Sequence, residues 1–105
     1  MQIHFNPGND VEGRESLVQR AEEIVSDAVG RFSEQITRVE IYVSDENGAK
    51  KGVDDKRCTM EARITGHQPI AVTHLAGTLR EAINGAAHKL QRSLDHTLGR
   101  LDRRQ

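Results

Sequence analysis

The spacing of the apolar residues changes along this chain, and that change limits what the chain can fold into. Two stretches, residues 13–33 and 79–101, have apolar residues every three or four positions, which is typical of an amphipathic helix. Four other stretches are short and strand-like; two of them alternate between apolar and polar residues, which is typical of strands with one buried face, and a third alternates in part. The predicted order of elements is therefore β-α-β-β-β-α.

Both predicted helices carry a broad apolar stripe. The first is predicted from about Gly13 to Ser33, with Gly30 as a mild interruption near its end. The second is predicted to reach about Leu101. It begins with Thr78-Leu79-Arg80-Glu81, which matches a capping box, where the Thr78 hydroxyl accepts from the Glu81 N–H and Glu81 reaches back. Gly85 and Gly99 are expected to weaken it by around 1 kcal/mol each relative to alanine.

The strands are predicted at residues 2–6, 38–44, 57–65 and 70–75, with a turn at 66–69. The stretch from Asp45 to Asp55 is polar and rich in glycine and charge, and predicts a long hairpin loop. One-sided alternation favours an antiparallel sheet with one packed and one wet face. The predicted fold is a two-layer α+β sandwich in a single domain, 1–105, with a four-stranded, mainly antiparallel sheet and both helices on one face.

Several classes of function find no support in the sequence. It contains none of the common nucleotide-binding, hydrolase or zinc-protease motifs, so we predict no catalytic residues, no cofactor and no metal site. The single cysteine, Cys58, falls on the inward-facing set of its strand, which favours a small core residue. Two histidines of the second helix, His88 and His96, are about 12 Å apart by helical rise, too far to share a metal ion directly. A metal enzyme using His88 or His74 is kept as a weak alternative.

Targeting signals are also absent from the sequence. No apolar run approaches the length of a membrane span, and the N-terminus lacks the basic and apolar regions of a secretory signal. We therefore expect a cytoplasmic protein that does not bind a membrane.

Charge is divided unevenly along the chain. Residues 78–105 have six basic and three acidic residues, a net charge of +3, whereas residues 1–77 have nine basic and thirteen acidic, a net charge of −4. This asymmetry indicates an element that faces a polyanion. On the second helix the basic residues recur every three or four positions, opposite the apolar stripe. With two from the first helix, the candidate RNA-binding residues are His88, Lys89, Arg92, His96, Arg100, Arg103, Arg20 and Arg31.

Such a row can neutralise backbone phosphates without reading bases. With only three aromatic residues, Phe5, Phe32 and Tyr42, a stacking platform for single strands is improbable, so structured RNA is the better candidate. Two alternatives remain at this point. The basic residues could simply lie on an ordinary solvent-exposed face of the helix, with Asp95 offsetting part of their charge. The domain could also be a regulatory module that binds a protein through its sheet or its acidic body.

The order of the predicted elements, the length of the chain and several sequence segments together resemble those of one known family. The segments are Asn9-Asp10-Val11-Glu12, the stretch Leu79-Arg80-Glu81-Ala82-Ile83-Asn84-Gly85, and Lys89-Leu90-Gln91-Arg92-Ser93-Leu94. They are similar to the ribosome hibernation-promoting factor / ribosome-associated inhibitor family, whose members are also called ribosomal subunit interface or sigma-factor modulation proteins. The resemblance extends over essentially the whole chain and is closest to the short form of the family.

The resemblance implies a non-enzymatic bacterial protein of stress or stationary phase. It would sit on the small ribosomal subunit, occlude the region of messenger and transfer RNA, and inhibit translation, with ribosomal RNA as its contact. By position, Lys89, Arg92 and Arg100 match basic residues of the family, and His96 falls where a lysine is usual. Arg80 stands where a tyrosine is common. No small-molecule substrate is implied, and a monomer is favoured.

Overall fold

The computed structural model describes residues 1–8, 14–45 and 55–103 of the chain. A single 3-10 turn, Gly30–Phe32, follows the first helix. The strands and helices, in chain order, are β1 (Gln2–Pro7), α1 (Arg14–Val29), β2 (Ile36–Asp45), β3 (Lys56–Ile64), β4 (His67–Ala76) and α2 (Leu79–Arg103). This is the predicted order, and the α+β fold class is confirmed.

The four strands form one sheet in the order β1-β2-β3-β4. Strands β2, β3 and β4 are antiparallel neighbours, and β1 pairs with β2 in parallel, with Phe5 opposite Ile41. Parallel neighbours need a crossover between them, and α1 supplies it. The prediction of a mainly antiparallel sheet is therefore confirmed. Because β4 is at the end of this order, one of its edges has no strand beside it among the described residues.

The turn between β3 and β4 is shorter than the sequence predicts. The chain turns at Thr65 and Gly66, and β4 begins at His67, so the predicted turn residues 67–69 belong to the strand. Gly66 has a φ of +71°, a conformation that favours glycine. Pro69 lies inside β4, on an edge strand and opposite the register shift between Ala62 and Ile64, both of which are places where a strand tolerates proline.

The hydrophobic core lies between the sheet and the two helices. The inward residues of β2 and β3 are those the alternation predicts, and Val39, Ile41, Cys58 and Met60 are fully buried. The helices contribute the residues of their apolar stripes, which include Ala21, Val25, Val29, Ile83, Leu90 and Leu94. The helix α2 packs over β3 and β4 and against α1. Its opposite, polar side is therefore left facing solvent.

The first turn of α2 has the predicted cap in a modified form. The Thr78 hydroxyl accepts a hydrogen bond from the Glu81 N–H at 3.1 Å, as expected. The Glu81 carboxylate accepts from that same hydroxyl at 3.0 Å rather than from the backbone N–H of Thr78. The cap therefore depends on one side-chain oxygen of Thr78.

Thr78→Ala removes that oxygen and leaves the Glu81 N–H without its side-chain acceptor. We expect the free energy of unfolding to fall by about 1 kcal/mol, as is usual for loss of an N-cap. Urea denaturation followed by circular dichroism measures it. Thr65→Ala, at an exposed residue of the β3–β4 turn, is the control, and is expected to change stability by less than about 0.5 kcal/mol. Equal losses in both variants would mean that the cap contributes nothing particular.

Candidate nucleic-acid interface

Three of the predicted RNA-binding residues form one group on α2. A helix turns through 100° per residue, so Lys89, Arg92 and His96 lie within an arc of about 60°. All three side chains are exposed, whereas Leu90 and Leu94 on the other side of the same turns are fully buried. We call Lys89, Arg92 and His96 the basic cluster. The amphipathic period that buries the leucines is also what brings these three residues together.

Two members of the basic cluster differ in their contacts. The Lys89 Nζ donates a hydrogen bond to the backbone carbonyl of Thr73 at 2.9 Å, which ties α2 to the edge strand β4. A lysine ammonium has three N–H donors, so this bond leaves two for another acceptor. Arg92 makes no ion pair with the residues that the structure describes. Its full charge and its planar donor group therefore remain available to a ligand.

The structure separates His88 from the basic cluster. His88 lines a groove of about 320 Å³ between α1 and α2, together with Arg20. Glu23 and Asp27 of α1 line the same groove. The two helices thus bring Arg20 and His88 to one groove, but two carboxylates beside them offset the positive charge.

Arg31, although exposed, is paired with other residues of the protein surface. Its guanidinium forms an ion pair with Asp95 of α2 and lies 4.6 Å from the centre of the Phe32 ring. The contact has two consequences for the interface. It balances the charge of Arg31, and it offsets the negative charge of Asp95 beside the basic residues of α2.

The two remaining candidate residues lie near the C-terminal end of α2. Arg100 and Arg103 belong to the last turns of α2, but their side chains are outside the described part of the chain.

Of the lysines in and beside the long loop, two lie outside the described residues and one is paired with carboxylates. Lys50 and Lys51 fall in 46–54, which is outside the described residues. The Lys56 ammonium lies 2.9 Å from Asp55 and 3.3 Å from Asp45. Its hydrogen bond to Asp55, aided by Asp45, raises the pKa of Lys56. Lys56 is therefore paired with carboxylates of the β2–β3 hairpin and is not part of the candidate interface.

Sequence reasoning missed four residues next to the basic cluster. Ser93 and Thr97 of α2, with Ile70 and Val72 of β4, line a cleft that also includes all three members of the cluster. The two hydroxyls could have been recognised, since Lys89, Ser93 and Thr97 are spaced four residues apart on one helix. The two apolar residues could not, because only the packing of β4 under α2 brings them there.

The residues considered for catalysis have other roles. Cys58 is fully buried, and desolvation raises the pKa of its thiol to about 12, so the reactive thiolate is disfavoured. His74 is half-buried against α2 at Gly85. Within residues 1–8, 14–45 and 55–103, no three histidine, cysteine, aspartate or glutamate side chains are placed to hold a metal ion. Neither described helix is long and apolar enough to cross a membrane.

Fold and site together define a two-layer α+β domain that presents basic side chains on the solvent side of its long C-terminal helix. The chain belongs to the family described as Sigma 54 modulation protein / S30EA ribosomal protein, which matches residues 6–102. The resemblance noted from the sequence is thereby confirmed. No curated protein sequence matches the chain significantly.

Solved structures show the same fold at low sequence identity. The N-terminal domain of Protein Y from Thermus thermophilus superposes with a TM-score of 0.73 at 18% identity, over 91% of this chain and 98% of that one. A ribosomal subunit interface protein from Coxiella burnetii superposes with a TM-score of 0.75 at 15% identity, over 94% and 99% of the two chains. Membership in this family supports a role in association with the ribosome.

Proposed function

We propose that this protein binds the small ribosomal subunit in the cytoplasm, occludes the region where messenger and transfer RNA bind, and inhibits translation under stress or in stationary phase. It does so without catalysis, as a monomer that needs no cofactor. The family, and the structural likeness to a ribosomal subunit interface protein, support a ribosomal partner. The observation that carries the RNA contact is the basic cluster, three exposed side chains on one side of α2.

The chemistry of the basic cluster suits folded RNA. Lysine and arginine bind backbone phosphates by charge and hydrogen bonding, and this sets position without base-specific readout. Folded RNA presents such phosphates at fixed spacings, so a rigid helix can hold several at once. Binding of this kind needs no conformational change in the protein. Inhibition then follows from occupancy, because a domain of 11.7 kDa in the region where messenger and transfer RNA bind excludes those ligands.

A protein-binding module, the alternative kept from the sequence, has weaker support. The face of the sheet away from the helices exposes Tyr42 and Leu75 by 47% and 45%. Tyr42 is opposite Thr59 and Leu75 is opposite Arg57, so β3 places polar side chains between the two apolar ones. They do not form the contiguous apolar patch that marks a protein interface.

Salt dependence tests the proposal. We expect purified protein to co-sediment with small subunits at low salt and to dissociate as salt rises, because each phosphate contact releases counterions. A plot of log affinity against log salt should have a slope of about −0.7 to −0.9 for each contact, hence about −1.4 to −1.8 for Lys89 and Arg92 together. The same protein should inhibit translation in a cell-free system. A flat slope, or binding that survives nuclease digestion of the ribosomes, would favour the protein-binding alternative.

A further inference from the structure

The cleft beside the basic cluster has a shape that a simple row of phosphate contacts does not require. It has a volume of about 650 Å³ and lies between the edge strand β4 and α2. Ile70 and Val72 form its apolar side, and Lys89, Arg92 and His96 its basic side. This volume falls in the range of about 300–1,000 Å³ that is usual for small-ligand sites. Charges that only bind a phosphate backbone would need no such cavity.

The cleft also contains groups that both donate and accept hydrogen bonds. The hydroxyls of Ser93 and Thr97, one helical turn apart, line it beside the basic residues. The cleft therefore offers a partner for each part of a nucleotide. The apolar side suits the base, the cationic groups suit the phosphate, and the hydroxyls suit the sugar or the edge of the base. Bases that have left the helical stack are held in proteins by apolar side chains and by arginine planes.

We propose that this cleft binds a single unstacked nucleotide of the RNA. The base lies against Ile70 and Val72 and is covered by the flat face of the Arg92 guanidinium, whose N–H groups point outward in that plane to a neighbouring phosphate. The Lys89 ammonium takes the adjoining phosphate, and the hydroxyls of Ser93 and Thr97 meet the ribose or the base edge. This inference rests on the proposed RNA-binding function and gives it a second component, the capture of one base, beside the neutralisation of phosphates.

An extended peptide added to the edge of β4 is the competing occupant, and the edge itself disfavours it. Strand addition needs a series of free backbone donors and acceptors along β4. The Thr73 carbonyl, in the middle of the strand, already accepts from Lys89. Pro69, which lies at the register shift between β3 and β4, has no N–H to donate. The edge is therefore interrupted as a template for a strand but remains open to a compact ligand.

Nuclear magnetic resonance on the intact protein tests the cleft directly. The probes are adenosine 5′-monophosphate and ribose 5-phosphate, which carry the same phosphate and differ in the base. We expect the first to shift the methyl signals of Ile70 and Val72 saturably, and the second to affect only amides near Lys89 and Arg92. Equal shifts from both probes would overturn the proposal. So would an acidic peptide that perturbs the β4 edge where the nucleotide does not.

A substitution that fills the cleft without changing charge separates this inference from the proposed function. Ser93→Phe is expected to weaken binding to small subunits about tenfold with an unchanged salt slope, because the phosphate contacts are kept. Ser26→Phe, on an exposed position of α1, is the matched control and should bind normally. If circular dichroism shows that Ser93→Phe is unfolded, Val72→Thr is used in its place. The expected loss of affinity for small subunits is then smaller.

The outcomes of this comparison are distinct. Normal binding by folded Ser93→Phe or Val72→Thr, with binding still lost on reversal of the Lys89 and Arg92 charges, overturns the nucleotide cleft and leaves RNA binding in place. Normal binding by the charge-reversed protein as well would show that the proposed RNA interface is wrong.

Discussion

Replacing both Lys89 and Arg92 by glutamate is expected to abolish co-sedimentation with small ribosomal subunits at physiological salt. Each side chain is exposed, and each would lose a charge-assisted hydrogen bond to phosphate, worth about 1.5–3 kcal/mol. At 1.4 kcal/mol per tenfold change, the pair accounts for a loss of about 100-fold to 10,000-fold in affinity. Repulsion between the new carboxylates and the phosphates adds to this loss. Sedimentation through a sucrose cushion, with the protein detected in the pellet, measures it.

A change of net charge alone could also weaken binding to a polyanion, so the control must carry the same change elsewhere. Arg57→Glu with Arg63→Glu reverses two exposed arginines on β3, on the face of the sheet away from the helices. We expect this variant to lose only a few-fold in affinity, through the long-range field. Equal losses in the two double variants would contradict a localised interface, and retained binding in the Lys89/Arg92 variant would place the contact elsewhere. Circular dichroism must show that both variants are folded.

The fold could be predicted largely because its elements are defined by local patterns. Alternation decided which side chains of β2 and β3 turn inward, and Val39, Met60 and Ala62 are indeed fully buried. Period alone does not determine strand direction, however, so the parallel pairing of β1 with β2 follows only from the position of α1 between them. The start of β4 at His67 was missed because Pro69 normally ends a strand, and its place on an edge strand beside a register shift makes it tolerable.

The candidate site was predictable to the extent that it lies on one helix. Lys89, Arg92 and His96 share one side of α2 for reasons of helical geometry alone, so their spacing was sufficient to group them. Contacts between helices are a different matter. The ion pair of Arg31 with Asp95 depends on how α1 and its 3-10 turn pack against α2, and no spacing within one helix reveals it.

Gly85 is the residue whose role in the structure differs most from the role that the sequence predicts. From the sequence, a glycine inside α2 is simply a weak point, since glycine costs about 1 kcal/mol relative to alanine in a helix. In the structure, the imidazole of His74 on β4 lies directly against the Gly85 backbone, and a Cβ built on Gly85 would overlap the ring. Gly85 therefore allows the edge strand and α2 to approach closely, next to the cleft that Val72 lines.

Gly85→Ala is accordingly expected to destabilise the protein, although alanine is the better helix former. The added methyl group must displace the His74 ring, and overpacking of this kind costs about 1–3 kcal/mol. In a His74→Ala background the obstacle is absent, and the same substitution should raise the free energy of unfolding by about 1 kcal/mol through helix propensity. Urea denaturation of the four proteins of this double-mutant cycle measures the coupling between the two positions. A Gly85→Ala effect of the same sign and size in both backgrounds would mean that the His74 ring moves aside without cost, and that Gly85 does not set the distance between β4 and α2.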